Sequence, residues 1–525
     1  MRTPLLPSSS PAIDHRLYIV KTGTKFLHRN NFQSNIVSCI NNRRHIRACH
    51  RRQLEIAMNL RILALAALLP SLAAAQDPTP PSTSGKVPPL TWVDKDTAHR
   101  VWRLSNEPNS GAFYFNVNGY TPDLKTMIYT APDGIHTLDM TTHATKLLVP
   151  NPPRSADPVQ RNTGVHAIIA GSKTNSVFYS QADPSTHVVT LYKADVYTGK
   201  VTRLCDLPKG MGVATINADE TLGAGTMNDS PDAVNYGDRA IPPPGLPAGP
   251  HVQPANKGQM MEERLAARIP LTLYTINLTT GKLTPLLHST DWVNHLLFSP
   301  VDPTLLMYCH EGPWQKVDRI WMIHTDGTHN TLIHKRHIAM EIAGHEFWGL
   351  DGKTIWYDWQ PIKGQDFYLA GYDLATGKRT AFHMDRNDWS IHFNLTRDLD
   401  IFCGDGGDVG QVAKAPDGEW IELFHPQMIS TTGALNDPDF FQPGVFHPER
   451  LVNMKWHDYH EEPNVRFSPD KSLVLFTSNM FGPSYVFGVE VAKAVNPKPE
   501  EVVSTPMLAS QYKPVEPIDT HAIAK

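Results

Sequence analysis

An imidazole or amide side chain recurs at a fixed distance ahead of an aspartate-bearing turn in this chain. The spacing is six residues in three instances and seven in one, and the four residues are His295, His345, His392 and Asn464. A short β-rich run and a second turn of the DxxTGK or TDG type follow each of them. Such repetition, in strand-rich units of about forty to sixty residues, is typical of a β-propeller, whose innermost strands face one central channel.

Seven strand-rich units can be counted from Phe113 onward. Val, Ile, Leu, Phe and Tyr alternate with polar residues within each unit, and Gly, Asp and Pro mark the turns. The sequence therefore predicts an all-β fold, a seven-bladed β-propeller over residues 91–495. We expect Thr91–Ser105 to add a strand to the last blade and so to close the ring.

The N-terminal region differs from the rest of the chain. Residues 1–57 carry ten Lys and Arg against two Asp and Glu, and they are read as a doubtful or disordered extension. Residues 58–75, MNLRILALAALLPSLAAA, have the pattern of a signal peptide, which predicts a periplasmic or secreted protein. Residues 76–90 form a Pro-rich linker, and residues 496–525 are expected to form a C-terminal tail.

Charge, apolar length and cysteine content indicate which partners, membrane spans and disulfides to expect in this chain. The formal charge is −4, and the basic leader makes the remainder more acidic still, so a nucleic-acid partner is disfavoured. The apolar stretch after Met58 is too short to span a membrane, and we expect no span in the mature chain. Outside the leader only Cys205, Cys309 and Cys403 remain, which favours buried free thiols over a disulfide framework.

A long insertion interrupts the third unit. Residues 228–268 begin Pro- and Gly-rich and end in a helix-like segment, Gly258–Arg268. Insertions of this length are commonly loops over a functional face, and a disordered decoration is the alternative for the proline-rich half.

The fourth unit has the highest density of ionisable and aromatic groups. It contains the segment CHEGPWQKVDRIW, and the segments GHEFW and IHFN follow in the next two units. The candidate functional residues in this unit are His295, His310, Glu311, Trp314 and Arg319. Histidines from successive blades would meet in the channel, where a divalent metal and a general base could be built.

CHEGPW, the arginine of VDRIW, GHEFWxxDG and a later histidine before a GDGG turn resemble the oligogalacturonate lyases of pectin breakdown. The resemblance is good from His295 to Val491 and looser before it. It implies a seven-bladed propeller, an oligogalacturonide substrate and a divalent metal. Manganese is the expected metal, with Ca²⁺ or Mg²⁺ as alternatives.

The resemblance also implies roles for particular residues. The family's catalytic histidine falls on His345, its helping arginine on Arg319 and one metal-binding histidine on His392. His295, His310, Glu311 and Trp314 are candidates for substrate contact. In β-elimination a neutral imidazole removes the C5 proton of a 4-linked uronate, and positive charge stabilises the enolate-like transition state.

This chain departs from the family at the remaining metal ligands. The family has a Gln-x-x-His-x-His run there, and this chain has Tyr459, Glu462 and Asn464. The nearby His457 and His460 could supply an imidazole instead. Glu462 and Asn464 are two residues apart, so on a strand both would face the same side, and oxygen ligands suit manganese or calcium.

Each assignment has a structural alternative. A histidine at the head of a strand is often a hydrogen-bonded framework residue, Arg319 could pair with Asp318 or Glu311, and His310 and Glu311 could fix a loop. The alternative function is a non-catalytic exported propeller that serves as a binding or scaffold protein. A scaffold has no reason to gather His345, His392 and Arg319 at one point, whereas a lyase requires it.

Overall fold

The computed structural model describes residues 87–153, 164–229, 256–408, 417–431 and 439–512, all within one compact unit, Ser84–Lys525. The described residues form six sheets, and the fold is all-β, as the sequence predicts. Residues 1–86, which hold the predicted extension, signal peptide and most of the linker, lie outside the described residues. None of the described helices has the length and apolar character needed to cross a bilayer.

Two strands come first, β1 (Thr91–Asp94) and β2 (His99–Arg103). Three antiparallel units of four strands follow, each in its own sheet. Unit 1 consists of β3 (Gly111–Ala112), β4 (Thr126–Ala131), β5 (Gly134–Asp139) and β6 (Thr145–Pro150). Unit 2 consists of β7 (Val165–Ala170), β8 (Ser176–Ala182), β9 (Val189–Asp195) and β10 (Val201–Asp206). Unit 3 consists of β11 (Thr215–Ile216), β12 (Leu222–Asn228), β13 (Leu271–Asn277) and β14 (Leu283–Ser289).

The later units repeat this order. Unit 4 consists of β15 (Trp292–Phe298), β16 (Leu305–Glu311), β17 (Ile320–His324) and β18 (Thr331–Leu332). Unit 5 consists of β19 (Ile342–Trp348), β20 (Thr354–Gln360), β21 (Tyr368–Asp373) and β22 (Arg379–His383). Unit 6 consists of β23 (Phe393–Leu395), β24 (Phe402–Gly404), β25 (Trp420–Met428) and β26 (Phe441–Asn453), and β26 pairs in parallel with β22, which joins units 5 and 6 into one eight-stranded sheet.

Unit 7 joins the two ends of the chain. It consists of β27 (Arg466–Phe467), β28 (Leu473–Ser478) and β29 (Tyr485–Lys493), and β2 pairs with β29 as its fourth strand, as predicted for Thr91–Ser105. β1 and β30 (Val502–Val503) extend the same sheet. Helix α2 (Thr505–Ser510) lies in the predicted tail, and the Thr505 hydroxyl donates to Asp94 at 2.6 Å. The first part of the tail is therefore built into the sheet.

Helix α1 (Lys257–Ala267) follows the insertion in unit 3 and confirms the helix expected near Gly258–Arg268. The Asn256 side chain accepts a hydrogen bond from the Gln259 amide and so satisfies a free donor at the helix N-terminus. Short 3₁₀ helices span Arg386–Asp388 and Pro499–Glu501.

Hairpin turns in several units are fixed by the DxxTG pattern seen in the sequence. In unit 2 the Asp195 carboxylate accepts from the amides of Tyr197 and Thr198 and from the Thr198 hydroxyl, at 2.8–3.1 Å. Gly199 follows with φ of 70°, a conformation that glycine adopts without steric cost. The same pattern closes β21 to β22 through Asp373 and Thr376.

The first strands of the units meet around one cavity of about 290 Å³. Each unit contributes at least one residue from its first strand or the segment next to it: Val117, Ile169, Ile216, Leu297, Phe347, Leu395 and Phe467. In β15, β19 and β23, other residues come just before the cavity residue in the sequence. These residues therefore lie next to a common axis. Cys205, Cys309 and Cys403 are buried free thiols, as expected.

Candidate functional site

His345 lies in a β-bulge of the innermost strand of unit 5. The register between β19 and β20 shifts between Gly344 and Phe347, and His345 has a φ of 45°. A left-handed conformation at a non-glycine residue costs about 1–3 kcal/mol, and bulges beside functional sites redirect side chains. Trp314 lies so close to Gly344 that a Cβ atom there would be 2.6 Å from its indole ring. The bulge and the glycine therefore let the imidazole and the indole pack together.

The His345 imidazole contacts aromatic and acidic groups from three units. Its ring centroid lies 4.8 Å from Trp314 and 4.9 Å from His392. Its Nδ1 lies 3.6 Å from the Asp358 carboxylate, and Asp358 has no exposed surface. His345, His392 and Trp314 were predicted site residues, and the structure brings them together.

His392, on unit 6, is held by a network. Its Nδ1 lies 2.8 Å from Oδ2 of the buried Asp405, and its backbone amide donates to Oδ1 of the same carboxylate at 2.8 Å. Phe115 stacks on the ring at 4.4 Å. The Tyr114 hydroxyl lies 3.1 Å from Nε2. A carboxylate that binds one ring nitrogen and leaves the other directed at a site is the usual support of a metal-binding histidine.

Two of the four predicted metal ligands face each other. Nε2 of His392 lies 3.6 Å from the Glu462 carboxylate, whose side chain is 35% exposed. The Asn464 side chain instead joins chain segments, because its oxygen accepts from the Phe115 amide at 3.0 Å and its nitrogen donates to the Glu462 carbonyl at 2.7 Å. His457 is packed against Ser478 and the Glu461 carbonyl, at 3.0 and 2.6 Å from its two ring nitrogens.

Arg319 forms a buried bidentate ion pair with Glu311. The two hydrogen bonds measure 3.0 and 3.2 Å, and the guanidinium also lies 4.6 Å from the Trp314 ring centre. Nε2 of His295 lies 3.0 Å from Glu311. Burial alone would raise the pKa of Glu311, but Arg319 and His295 outweigh it and hold the pKa well below its usual range. Glu311 is therefore an anion, and its carboxylate contacts both Arg319 and His295.

A third acidic group completes this cluster. Glu346 is buried, and its carboxylate lies 3.6 Å from Nε of Arg319 while receiving no hydrogen bond from the described residues. A buried polar group without a partner is costly, and such groups concentrate at functional sites. Two buried carboxylates, Glu311 and Glu346, thus lie against the Arg319 guanidinium, and His295 contacts the first of them.

A small donor set lies beside this ion pair. The donor atoms of His295, Cys309 and Glu311 lie within 4.8 Å of one another. Burial raises the pKa of the Cys309 thiol well above its usual value, so the thiol stays protonated at neutral pH. Because both Glu311 oxygens are already bound by Arg319, this set is less open to an ion than the His392–Glu462 pair.

His310 lies apart from the cluster. Its neighbours Cys309 and Glu311 on β16 face His295, and successive strand residues point to opposite faces. His310 stacks on Trp321 at 5.1 Å instead, and burial lowers its pKa. The predicted substrate contact at His310 has no support in this geometry.

The sequence analysis did not single out Tyr114, Asp358 or Asp405. Asp358 and Asp405 occupy the same place in their units as Glu311 does in unit 4. Each lies in or directly after the second strand of its unit, and a site histidine lies in or directly before the first strand. The distances from imidazole to carboxylate are 3.0, 3.6 and 2.8 Å in units 4, 5 and 6. An acidic residue at the end of each second strand was the signal that could have revealed them. Burial, followed by the negative charge of Glu462, raises the pKa of Tyr114 well above its usual value.

Comparison with known proteins shows what this arrangement is similar to. The model of the family described as Pectate_lyase22, oligogalacturonate lyase, matches residues 252–495, which include His295, Arg319, His345 and His392. The match to this family model is thus confined to residues 252–495, a little under half of the chain.

Two curated relatives are each similar to part of the chain. An oligogalacturonide lyase of Pectobacterium atrosepticum is 27% identical over 233 residues, and an oligogalacturonate lyase of Dickeya dadantii is 26% identical over 234 residues. Each match covers 42% of this chain and 56% of the relative, so the chain spans about half the length of the curated relatives it matches.

Solved structures extend the likeness in fold. An oligogalacturonate lyase in complex with manganese superposes with a TM-score of 0.58 at 20% identity, covering 78% of this chain and 98% of that one. An oligogalacturonate lyase from Vibrio parahaemolyticus gives 0.57 at 20% identity, covering 77% and 96%. The shared fold therefore includes the units that precede the family match.

Proposed function

We propose that this protein is an oligogalacturonate lyase that cleaves 4-linked galacturonate oligosaccharides by β-elimination, leaving an unsaturated uronate. The observation that carries the proposal is the cluster of His345, His392, Trp314 and Arg319 inside the region that matches the lyase family. A scaffold propeller would not need to gather a buried ion pair, three imidazoles and two carboxylates that receive no hydrogen bond from the described residues.

The proposal includes a seven-bladed propeller as the scaffold. It is supported by units 1 to 7, by the closure of unit 7 through β2 and β29, and by the cavity to which each unit contributes. In such a ring the innermost strands of units 4, 5 and 6 are neighbours, which accounts for the proximity of His295, His345 and His392.

The reaction assigns His345 the role of general base. Its imidazole removes the proton at C5, which is acidic because it is α to the uronate carboxyl group. The electrons of the C–H bond form the C4–C5 double bond. The bond from C4 to the glycosidic oxygen breaks, and that oxygen leaves with the bonding electrons and takes up a proton, so that overall one proton moves from C5 to the leaving group. Trp314 offers an apolar face beside His345 for a sugar ring, and no water enters the products.

Arg319 supplies the positive charge that this reaction needs near the carboxyl group. Both of its terminal nitrogens are bound by Glu311, so a substrate carboxylate would share the guanidinium with Glu311 or compete for it. In a buried site of low dielectric this charge acts over several ångströms. The effect of Arg319 is thus electrostatic, within a fixed ion pair.

A divalent cation, with manganese as the first candidate, is part of the proposal. A solved oligogalacturonate lyase of the same fold is in complex with manganese. The imidazole of His392, oriented by Asp405, and the partly exposed carboxylate of Glu462 fit such an ion, because both are donors that manganese accepts. When bound, the cation would add positive charge for the uronate carboxyl group. Asn464 and His457 would have to give up their present hydrogen bonds to join it.

Export through the signal peptide at residues 58–75 is also proposed. The pattern lies outside the described residues, and it rests on the basic start, the apolar stretch and the Ala73–Ala75 site of the sequence. N-terminal sequencing of the protein from its source would locate the cleavage. A mature N-terminus upstream of Met58 would contradict it.

The activity is tested by incubating the protein with trigalacturonate and following the ultraviolet absorbance of the C4–C5 double bond, with and without a chelator. Growth of the absorbance, lost with chelator and restored by Mn²⁺, is expected. Metal analysis of the purified protein accompanies the assay. Absence of the absorbance with every added metal would favour the scaffold alternative.

A further inference from the structure

Asp358 is a buried carboxylate that no hydrogen-bond donor of the described residues reaches. It has no exposed surface, and neither of its oxygens receives a hydrogen bond from the described residues. Its ionisable neighbour is His345, whose Nδ1 lies 3.6 Å away and is itself buried without a hydrogen bond from the described residues. The two groups therefore form a pair in which each is the other's available partner.

Local backbone geometry fixes this pair. Gly344 lies opposite Asp358 in the ladder between β19 and β20, and the bulge begins at the next residue, His345. The imidazole is thus set beside a residue of the adjacent strand, while Trp314 closes its other side. Since 3.6 Å is long for a hydrogen bond, the contact would shorten in a substrate complex, as catalytic hydrogen bonds commonly do.

A second histidine–carboxylate pair in unit 5 shows what a framework pair looks like. Glu341 lies 2.9 Å from Nε2 of the buried His334 and also accepts hydrogen bonds from the Trp359 indole and the Ile338 amide. The hydrogen bonds that the Glu341 carboxylate accepts compensate for the cost of burying it. Asp358 accepts no comparable set of hydrogen bonds from the described residues, so its burial destabilises the folded protein. A residue with only a framework role would not require this loss of stability.

We propose that Asp358 is a positioning residue for His345. It holds the imidazole with the proton on Nδ1 and directed at the carboxylate, so that the lone pair of Nε2 is presented to the substrate. When Nε2 takes the C5 proton, Asp358 lies beside the imidazolium that forms and stabilises it. The role rests on the proposed lyase function of His345. It has counterparts in the His295–Glu311 and His392–Asp405 pairs of the neighbouring units.

Two matched variants separate a positioning role from a framework role. Asp358→Asn keeps the volume of the side chain but removes its charge, and Glu341→Gln does the same at the framework pair. For Asp358→Asn we expect kcat on trigalacturonate to fall roughly 10- to 100-fold with KM nearly unchanged, and the melting temperature to stay level or rise. For Glu341→Gln we expect a lower melting temperature and a turnover like that of the parent.

The opposite pattern would overturn the proposal. If Asp358→Asn keeps the parent's kcat, or if it unfolds more readily and loses activity only in proportion, then Asp358 is a framework residue.

A second measurement does not depend on turnover. In the folded parent, ¹⁵N chemical shifts of the His345 ring, assigned by their loss in His345→Gln, should show the proton on Nδ1, and in Asp358→Asn the two tautomers should be mixed. A parent ring protonated on Nε2 alone contradicts the proposal. If the parent cleaves no oligogalacturonide, the lyase function fails, and the ring shifts still decide whether Asp358 orients His345.

Discussion

His345 has a left-handed backbone conformation, which is uncommon in proteins for residues other than glycine. Its φ of 45° is matched at His295, with 47°, and both residues lie in register shifts of an innermost strand. Strain of this kind persists where the surrounding structure enforces it, which is common at functional sites. The strain at His345 and His295 thus agrees with a role in the chemistry of the site.

Replacing His345 by Ala should lower turnover about 10²- to 10⁴-fold, because a positioned general base contributes about that much. Fold and metal content should be retained. His187→Ala is the matched control, since His187 also has a positive φ, 58°, but is exposed in a hairpin turn of unit 2. Initial rates and circular dichroism of both variants check this. A His345→Ala enzyme with the parent's turnover would place the base elsewhere.

Replacing Arg319 by Lys should impair both stability and turnover. A lysine amine cannot reproduce the two parallel hydrogen bonds to Glu311, so this buried carboxylate would lose a donor, at a cost of about 1–3 kcal/mol. Urea unfolding and initial rates measure the two effects. Parent-like values in both would mean that charge alone suffices at this position.

The sequence predicts site residues where a motif marks them. His345, His392, Trp314 and Arg319 stand in recognisable motifs, and the structure brings them together. Tyr114 stands in the first unit, nearly three hundred residues from His392, and no local pattern links the two. Asp358 and Asp405 resemble ordinary turn and strand residues until the pairing of first and second strands is known. As metal ligands, Asn464 and His457 stay predictions.

At the scale of elements, hairpins and turns were more predictable than long strands. The DxxTG turns and helix α1 follow from their residues, and the structure has them. The strand β26 was missed, although it spans Phe441–Asn453. Its segment contains Pro443 and Pro448, and proline normally argues against a strand with neighbours on both sides. Pairing with β22 and β25 outweighs that local preference.

The His334–Glu341 network in unit 5 should make stability depend on pH. Burial alone would raise the pKa of Glu341, but hydrogen bonds from His334, the His337 amide and Trp359 lower it from 4.5 to about 2. A carboxyl group with a depressed pKa in the folded state stabilises the protein above its unfolded pKa, and this is lost as pH falls. Glu341→Gln should cost about 1–3 kcal/mol at pH 7, and the cost should shrink between pH 4.5 and 2.

Urea unfolding of both proteins across this pH range measures the difference. A cost independent of pH would mean that the Glu341 charge contributes nothing to the network.

At the scale of the whole molecule, the last sheet depends on both ends of the chain. β2 lies between β29 and β1, and the buried Val101 pairs with Val489 and Trp92. The sequence predicted this closure, because Thr91–Ser105 is a strand-like segment outside the repeats. No sequence pattern predicted that the first part of the tail would pair with the sheet, as β30 does with β1.

Val101→Pro should destabilise the protein by about 3 kcal/mol or more, because proline removes a ladder hydrogen bond in an interior strand. Val101→Ala, at the same position, should cost about 2 kcal/mol, since it removes buried apolar surface but keeps the ladder. Denaturant unfolding compares the two variants. Equal costs would show that the closure contributes burial alone and that pairing by β2 is dispensable.

The central claim, that the chain breaks a uronate glycosidic bond by elimination with His345 as base, is tested most directly by the masses of the products. Digalacturonate should yield two monosaccharides whose masses in ordinary water sum to that of the substrate, one of them unsaturated. His345→Ala should yield almost none in the same time. Products whose masses sum to the substrate plus one water, or products formed equally well by His345→Ala, would contradict the account.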